Sequence, residues 1–439
     1  SAAAFASLSR TKAPLEALSA VVDTWGGSFW ELIPFTMQMS LILITGSMVA
    51  QAPPVFRAIA RLAQVPKSPK AAVAFVAIAS MASSWINWGF SLVFSAMLAR
   101  EVARRTRVDY RAVAASAFLG LGSIWAQGLS GSAALLMATP TAIPAALKAV
   151  IARDGLVPSG VLPFSATIFL WQSFVSVAIE VVIVTAVMWW AAPAGDRLRT
   201  ASDLGVDLGP SEASRPAPES RGTPGEWLEH RPYLNVLFVA LAGAYLVRTA
   251  VANEQGLSGL SVNIVNLVFL TAAVALHGTP ARLMRAAKEA TPGIWAVVLQ
   301  YPFYAAIAAL MTKSHLNEVI ASWFVGISTP TTFPAIVAVY SGVLGMFVPS
   351  GGSKWVIEAP YVLQAAHDLH VHLGWMVAVY DLGEALANLV QPFWMVPTLT
   401  VLGLKARDVM GYTSLVFVVL VPVVLVLVTV LGATLPYPL

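Results

Sequence analysis

Between Ala71 and Arg100 an apolar stretch of thirty residues is interrupted at its middle by SSWINWG, Ser83 to Gly89, and carries a basic segment on each side. Arg57, Arg61, Lys67 and Lys70 precede it, and Arg100, Arg104, Arg105, Arg107 and Arg111 close it and follow it. A helix that crossed a bilayer here would leave one of these clusters on the outer surface, against the tendency of short Lys/Arg-rich loops to stay cytoplasmic. Each half also falls short of the roughly twenty residues that a span needs. The pattern predicts a re-entrant hairpin over about 71–100 that dips in from the cytoplasm, turns at SSWINWG and returns. Backbone freed at such a turn is tolerated only where it is buried in protein or lines a cavity, so the feature points to a solute site inside the membrane.

Composition agrees with an all-α polytopic membrane protein: 58% of the 439 residues are hydrophobic and 11% charged, far from the averages of a soluble domain. The net charge of +4 is small, and what matters is where the positive residues lie. They are juxtamembrane and no nucleic-acid-binding motif accompanies them, so no nucleic-acid partner is expected. The absence of cysteine removes disulfides, thiolate catalysis and Cys-ligated metals. Ser1 to Lys12 lacks the charged start and apolar run of a signal peptide.

Segments long enough to cross are Trp30 to Ala50, Ala112 to Thr139, Val161 to Ala192, Tyr233 to Val251, Val262 to His277, Ile294 to Thr312, Trp375 to Gly403 and Tyr412 to Leu431. A second interrupted stretch, about 333–366, is broken by PSGGSK, Pro349 to Lys354. With the loops around the first hairpin inside, the polar segment with Arg197, Arg199, Arg215, Arg221 and Arg231, the loop with Arg282, Arg285 and Lys288, and Lys405 with Arg407 all fall inside as well. The second hairpin, flanked by loops almost free of Lys and Arg, then enters from outside. Residues 194–231, rich in Pro, Ser and Glu, read as a flexible cytoplasmic linker between halves at 1–193 and 232–439.

The halves match in order, which predicts two inverted-topology repeats. GSFWELIPF (Gly27 to Phe35) corresponds to PGIWAVVLQ (Pro292 to Gln300), the amphipathic Pro53 to Leu62 to Leu316 to Phe324, and SSWINW (Ser83 to Trp88) to SGGSKW (Ser350 to Trp355). A broken span follows each hairpin, at about 112–139 with GLSGSAALLMATP and at about 375–403 with GEALANLVQPFWMVP. Substrate and coupling ions held at discontinuous helices are a recurrent design of secondary transporters.

Such breaks expose amides and carbonyls. Amides at the positive end of a helix dipole suit a carboxylate, and converging carbonyls and hydroxyls suit a hard cation such as sodium at the hairpin tips. Candidate substrate contacts are Ser83, Ser84, Asn87, Trp88 and Gly89; Ser130, Gly131, Ser132 and Thr139; Ser350, Gly351, Gly352, Ser353, Lys354, Trp355 and Glu358; and Asn388 and Gln391. Ser84, Asn87, Ser132, Ser353 and Glu384 are candidates for ion coupling. Trp85, Trp88, Trp125, Trp355 and Trp394 crowd the same segments and can wall an apolar pocket for a short acyl chain. Lys354 and Glu358, four residues apart on one helical face, either neutralise each other or serve the substrate carboxylate and a titration step. Glu384 has no Lys or Arg within a helical turn. Glu180, alone in an apolar span, is expected to face a partner helix or subunit.

The runs SxINWGFSLVxSAMxAREVARR (residues 84–105), GLSGSAALLMATP, NIVNLVFL (Asn263 to Leu270), PSGGSKWVIEAP and GEALANLVQPFW resemble the bacterial short-chain fatty acid transporters, the AtoE-type acetoacetate/butyrate carriers, over about Trp25 to Leu431. The resemblance implies symport of short-chain monocarboxylates with sodium or protons across the inner membrane. More distantly it implies kinship with the ion transporter superfamily of dimeric elevator carriers, hence a homodimer in contact with membrane lipid. A carrier of other small organic acids, including dicarboxylates, is the alternative in the same class. In that family the position of Lys354 is often His and that of Glu358 often Gln, and an apolar helix precedes the Trp25 segment, where Ala13 to Thr24 here is too short and polar to span. No HExxH, phosphate loop or cysteine nucleophile is present, so neither an enzyme nor a cofactor other than a coupling ion is expected.

Overall fold

The first hairpin begins where its sequence supplies a helix start: the Ser68 hydroxyl accepts from the Ala71 amide at 3.3 Å and Pro69 takes the first helical position, where a missing N–H costs nothing. The arm runs Pro69–Ile86 and the returning arm Trp88–Arg105. This computed structural model describes residues 2–9, 13–155, 157–209, 223–252, 260–348 and 350–439, apart from a few side chains. Asn87 alone makes the turn, with extended backbone and its Oδ1 accepting from the Phe90 amide at 2.9 Å. The arms are longer than expected, 18 residues each or about 27 Å at the helical rise. The turn needs one residue rather than seven, because a single cap both ends one helix and starts the next. Antiparallel packing, shown by Ser83 meeting Ser91 and Ser95, makes the element a hairpin, not the shortness of its arms.

The second hairpin has arms Phe333–Phe347 and Gly351–Asp368; Pro349 of its PSGGSK turn lies outside the described residues. A broken helix follows each hairpin. The first runs Tyr110–Leu119, a π turn Gly120–Ile124, a 3-10 turn Trp125–Gln127, an extended break at Gly128 to Gly131, and Ser132–Ala138. The second runs Leu373–Asn388, a break, and Met395–Leu402. The longer of the remaining helices are Pro14–Ser28, Ile33–Ala50, Pro53–Leu62, Trp171–Ala191, Tyr233–Ala252, Val262–His277, Pro280–Ala290, Trp295–Lys313, Leu316–Ile327 and Ala406–Gly432. No strand occurs among the described residues. Six of their helical segments are long and apolar enough to cross a membrane. Those on the rim, such as Tyr233–Ala252, leave Leu237, Leu241 and Val251 exposed, as helices facing lipid do.

Two further expectations change. The expected span from Val161 begins its helix only at Trp171; before it, Phe164 packs edge-on against Phe169 in an irregular segment. The expected linker is not uniform either. Its first part, 195–209, is docked: the Arg199 amide donates to Asp109 at 3.0 Å, its carbonyl accepts from the Tyr110 amide at 2.8 Å, and Arg100 donates to the Leu208 carbonyl at 2.6 Å. Arg215 and Arg221 lie outside the described residues.

Candidate functional site

The four breaks meet. At the first hairpin tip the Trp88 amide donates to Ser130 Oγ at 2.9 Å, and the Leu129 amide donates to the Trp85 carbonyl at 2.7 Å. A Cβ at Gly128 would collide with that same Trp85 carbonyl, so the break can approach the tip only as glycine. At the second tip a Cβ on Gly351 would come within 2.6 Å of the Trp125 ring, and one on Gly352 within 3.0 Å of Ser132 Cβ. The second broken helix closes the ring, as Asn388 Nδ2 donates to the Leu121 carbonyl at 3.4 Å. Trp88 stands edge-on to Trp125 at 6.4 Å and to Trp394 at 5.5 Å.

The tips differ in chemistry. Ser83 at the first donates to the Ser80 carbonyl at 3.0 Å and meets Ser91 Oγ at 3.0 Å, a neutral hydroxyl cluster. At the second, Lys354 Nζ lies 3.0 Å from Glu358 and 2.9 Å from Glu384, donates to the Ser341 hydroxyl at 2.7 Å and carbonyl at 2.9 Å, and sits 4.4 Å over the Tyr380 ring. All three charged side chains are fully buried. Tyr380 donates to the Gly351 carbonyl, its ring lies 4.5 Å from that of Trp355, and the Ser350 and Ser353 hydroxyls are 2.5 Å apart. Lys354 thus has its three N–H bonds surrounded by four protein oxygens. Glu384, isolated in sequence, is paired in space.

Around the first tip and break the buried polar atoms without partners among the described residues include three N–H groups, Asn87 Nδ2, Trp88 Nε1 and Trp125 Nε1, with Ser84 Oγ beside them. Buried donors left unpaired are costly, and a carboxylate oxygen is the complementary group.

Two expected site residues stand apart. The Thr139 hydroxyl accepts from the Val262 amide at 3.1 Å and so caps a neighbouring helix, and Gln391 accepts from the Phe393 amide at 2.9 Å, closing its own loop. Glu180 faces the broken helix as expected, accepting from Gln127 Nε2 and Ser176 Oγ, each at 2.8 Å. Sequence reasoning passed over Gln127, Ser341 and Tyr380. A glutamine beside GLSGS and a tyrosine four residues before a lone glutamate were the available signals.

A cavity of about 720 Å³ opens next to this cluster, between Ile33–Ala50, Pro53–Leu62, Trp88–Arg105 and Met395–Leu402. Leu43, Phe56, Leu92 and Met97 line it with Trp394, which stands edge-on to Trp88, and Arg100, Glu101, Arg104 and Glu289 stand on its Lys/Arg-rich side.

The comparisons with known proteins agree with this architecture. The family described as short chain fatty acid transporter matches residues 7–431. Two proteins named "Putative short-chain fatty acid transporter" are similar. That of Escherichia coli is 36% identical over 400 residues and that of Haemophilus influenzae 32% identical over 401, each alignment covering 90% of this chain and 87% of the relative. Among solved structures, the YdaH transporter of Alcanivorax borkumensis, reported with an unusual topology, superposes with a TM-score of 0.61 at 18% identity, over 97% of this chain and 89% of its own. MtrF of Neisseria gonorrhoeae, described within a class of antimetabolite efflux pumps, gives 0.56 at 14% identity, over 97% and 85%. At such identities the two structures speak for the fold alone. The motifs, the multi-pass helical fold and the matches over nearly the whole chain together make it a membrane transport protein of the inner membrane, not an enzyme: the chain belongs to the short-chain fatty acid transporter family.

Proposed function

We propose that the protein is a secondary active carrier that takes short-chain monocarboxylates such as acetoacetate and butyrate across the inner membrane, coupled to a gradient of sodium or protons. The observation that carries this reading is the convergence of four chain breaks on a cluster whose unpaired buried groups include three N–H donors. In this reading Asn87, Trp88 and Trp125 hold the carboxylate beside Ser84, Ser130 and Ser132. The Trp88, Trp125 and Trp394 rings enclose the acyl chain, and the cavity behind Trp394 is the path to the cytoplasm. The hairpins and broken helices form the moving part, in two inverted repeats. The exposed apolar helices form the scaffold on which a homodimer assembles. Dicarboxylates fit less well, because the cation nearest the tips, Lys354, already faces two carboxylates.

The test is uptake of labelled butyrate into proteoliposomes, with leak into protein-free vesicles subtracted. Saturable uptake and counterflow, with succinate a poor competitor, are expected; linear, unsaturated flux identifies a channel instead. Ser83→Leu and Ser350→Leu should each abolish uptake while the protein remains folded, and normal transport in both removes the tips from the site. The inverted hairpins have their own check, made simple by the absence of native cysteine. A cysteine at Arg105 should react with an impermeant maleimide only from the cytoplasmic side and one at His370 only from the periplasmic side, and labelling of both from one side refutes the arrangement.

A further inference from the structure

The buried centre under the second hairpin tip holds more carboxylate than cation. Lys354 contacts Glu358 at 3.0 Å and Glu384 at 2.9 Å, so the triad carries a net negative charge when every group is ionised, at a depth where an uncompensated charge is strongly disfavoured. Glu358 Oε2 is buried and has no hydrogen-bond partner among the described residues, a poor setting for a bare carboxylate and a tolerable one for a neutral acid. A sodium ion is the other candidate for neutralising the excess. The seat between the two carboxylates, where it would collect oxygens, is filled by the Lys354 ammonium. A second cation placed there would be repelled at a few ångströms in a medium of low dielectric.

We propose that Glu358 and Glu384 hold one proton between them, with Lys354 as fixed counter-ion, and that this proton is the coupling ion of transport. The inference rests on the carrier reading above and selects between its two coupling ions. Other ionisable groups facing the triad do not supply the missing positive charge. Tyr301 and Tyr304 on Trp295–Lys313 and the Tyr340 and Tyr361 pair, bonded at 3.0 Å, are neutral phenols, as is Tyr380. Asp381, one turn before Glu384, adds a carboxylate that faces the backbone of Ala133 and Ala134. Among the described residues Lys354 is the one cation in an ion pair with Glu358 or Glu384.

The triad is also placed to sense the tip. A Cβ on Gly351 would lie 3.5 Å from Glu384 Cγ, and Tyr380 joins the Lys354 ammonium to the Gly351 carbonyl. In transport an O–H bond forms on the Glu358/Glu384 pair with a proton from the side to which the tip opens, and breaks on the other side. No electrons move, and the proton offsets the charge of one monocarboxylate.

Two measurements on the full chain test this. In sodium-free proteoliposomes, an inward proton gradient should accumulate labelled acetoacetate several-fold above equilibrium, while a sodium gradient at equal pH should add nothing. In purified Asp381→Asn protein without sodium, where this third buried acid is absent, the infrared C=O band of a protonated carboxylic acid should be present at neutral pH and weaker when either Glu358→Gln or Glu384→Gln is added, since either substitution leaves a neutral Lys–Glu pair. Sodium-driven accumulation, or an acid band unchanged in both variants, overturns the inference. A band that behaves as described with no acetoacetate accumulation under either gradient supports the shared proton and brings down the substrate assignment instead.

Discussion

The two hairpins do the same architectural work with opposite chemistry. The first tip is fixed by backbone: the Trp88 amide on Ser130, the Leu129 amide on Trp85, and a glycine where no Cβ fits. The second is fixed by charge, with an ammonium between two carboxylates and a tyrosine linking them to the tip. Two elements of the same helix–break–helix form therefore need not have the same role. The neutral side offers unpaired donors that suit an anion, whereas on the charged side the one ammonium is already taken up by two carboxylates and the Ser341 oxygens.

The sharpest way to break this contrast is to remove the cation. Lys354→Met should destabilise the protein by about 3–5 kcal/mol, the cost of stranding a buried partner. Adding Glu358→Gln and Glu384→Gln should recover most of that loss, and a single variant as stable as the parent by denaturant or thermal unfolding would show that the second tip is not held by charge. On the first tip, Gly128→Ala should cost about 1–3 kcal/mol through overpacking against the Trp85 carbonyl. Gly351→Ala meets a ring edge that can shift, so its cost should be smaller. A reversed order in melting temperature would mean that the tips are fixed by the same means. Ser83→Ala should cost only about 1 kcal/mol, the net worth of one hydrogen bond, because Ser91 Oγ already donates to the same Ser80 carbonyl at 2.9 Å.

The smallest effect separates the helices that follow the hairpins. Tyr110–Leu119 is capped by Asp109, whose carboxylate accepts from the Arg111 and Ala112 amides at 3.1 Å. Leu373–Asn388 is capped by His372, which accepts from the Trp375 amide at 2.9 Å. Burial pushes the His372 pKa down to about 4 from an ordinary 6.5, so the folded state keeps the ring neutral while the unfolded chain takes up a proton. Stability from this cap is then complete above pH 6.5 and is lost as pH falls from 6.5 toward 4. His372→Asn, which caps without titrating, should flatten that part of the pH profile, and an unchanged profile would exclude His372 as its source.

Much of this was legible in the chain. Pro53–Leu62 and Val262–His277 have the ends that the sequence suggests, because proline at a helix start, the Ser261 cap and the positive φ of Gly278 are local signals. Both hairpins and both broken helices were visible as Ser, Gly, Asn and Pro inside apolar runs. What could not be read is long-range. Lys354 and Glu384 lie thirty residues apart on different helices and leave no periodic trace of their pairing. The docking of 195–209 depends on carbonyls rather than side chains, so its polar composition suggested freedom. The cavity behind Trp394 is bounded by helices from both ends of the chain, and no single segment announces it.

The order in which charges enter the membrane follows from the position of Glu358. A lysine or carboxylate at the centre of an isolated inserting helix costs about 3 kcal/mol, and the 18-residue arm Gly351–Asp368 carries its own answer to Lys354 one turn later. The second hairpin can therefore leave the translocation machinery as a nearly neutral unit before any later segment exists. Glu384 arrives afterwards, on a helix with no basic residue of its own, and its burial depends on finding that hairpin already in place. The hairpin is therefore expected to insert before the broken helix, and a chain truncated between Asp368 and Leu373 should still integrate its last hairpin, which resistance of that segment to alkaline extraction checks.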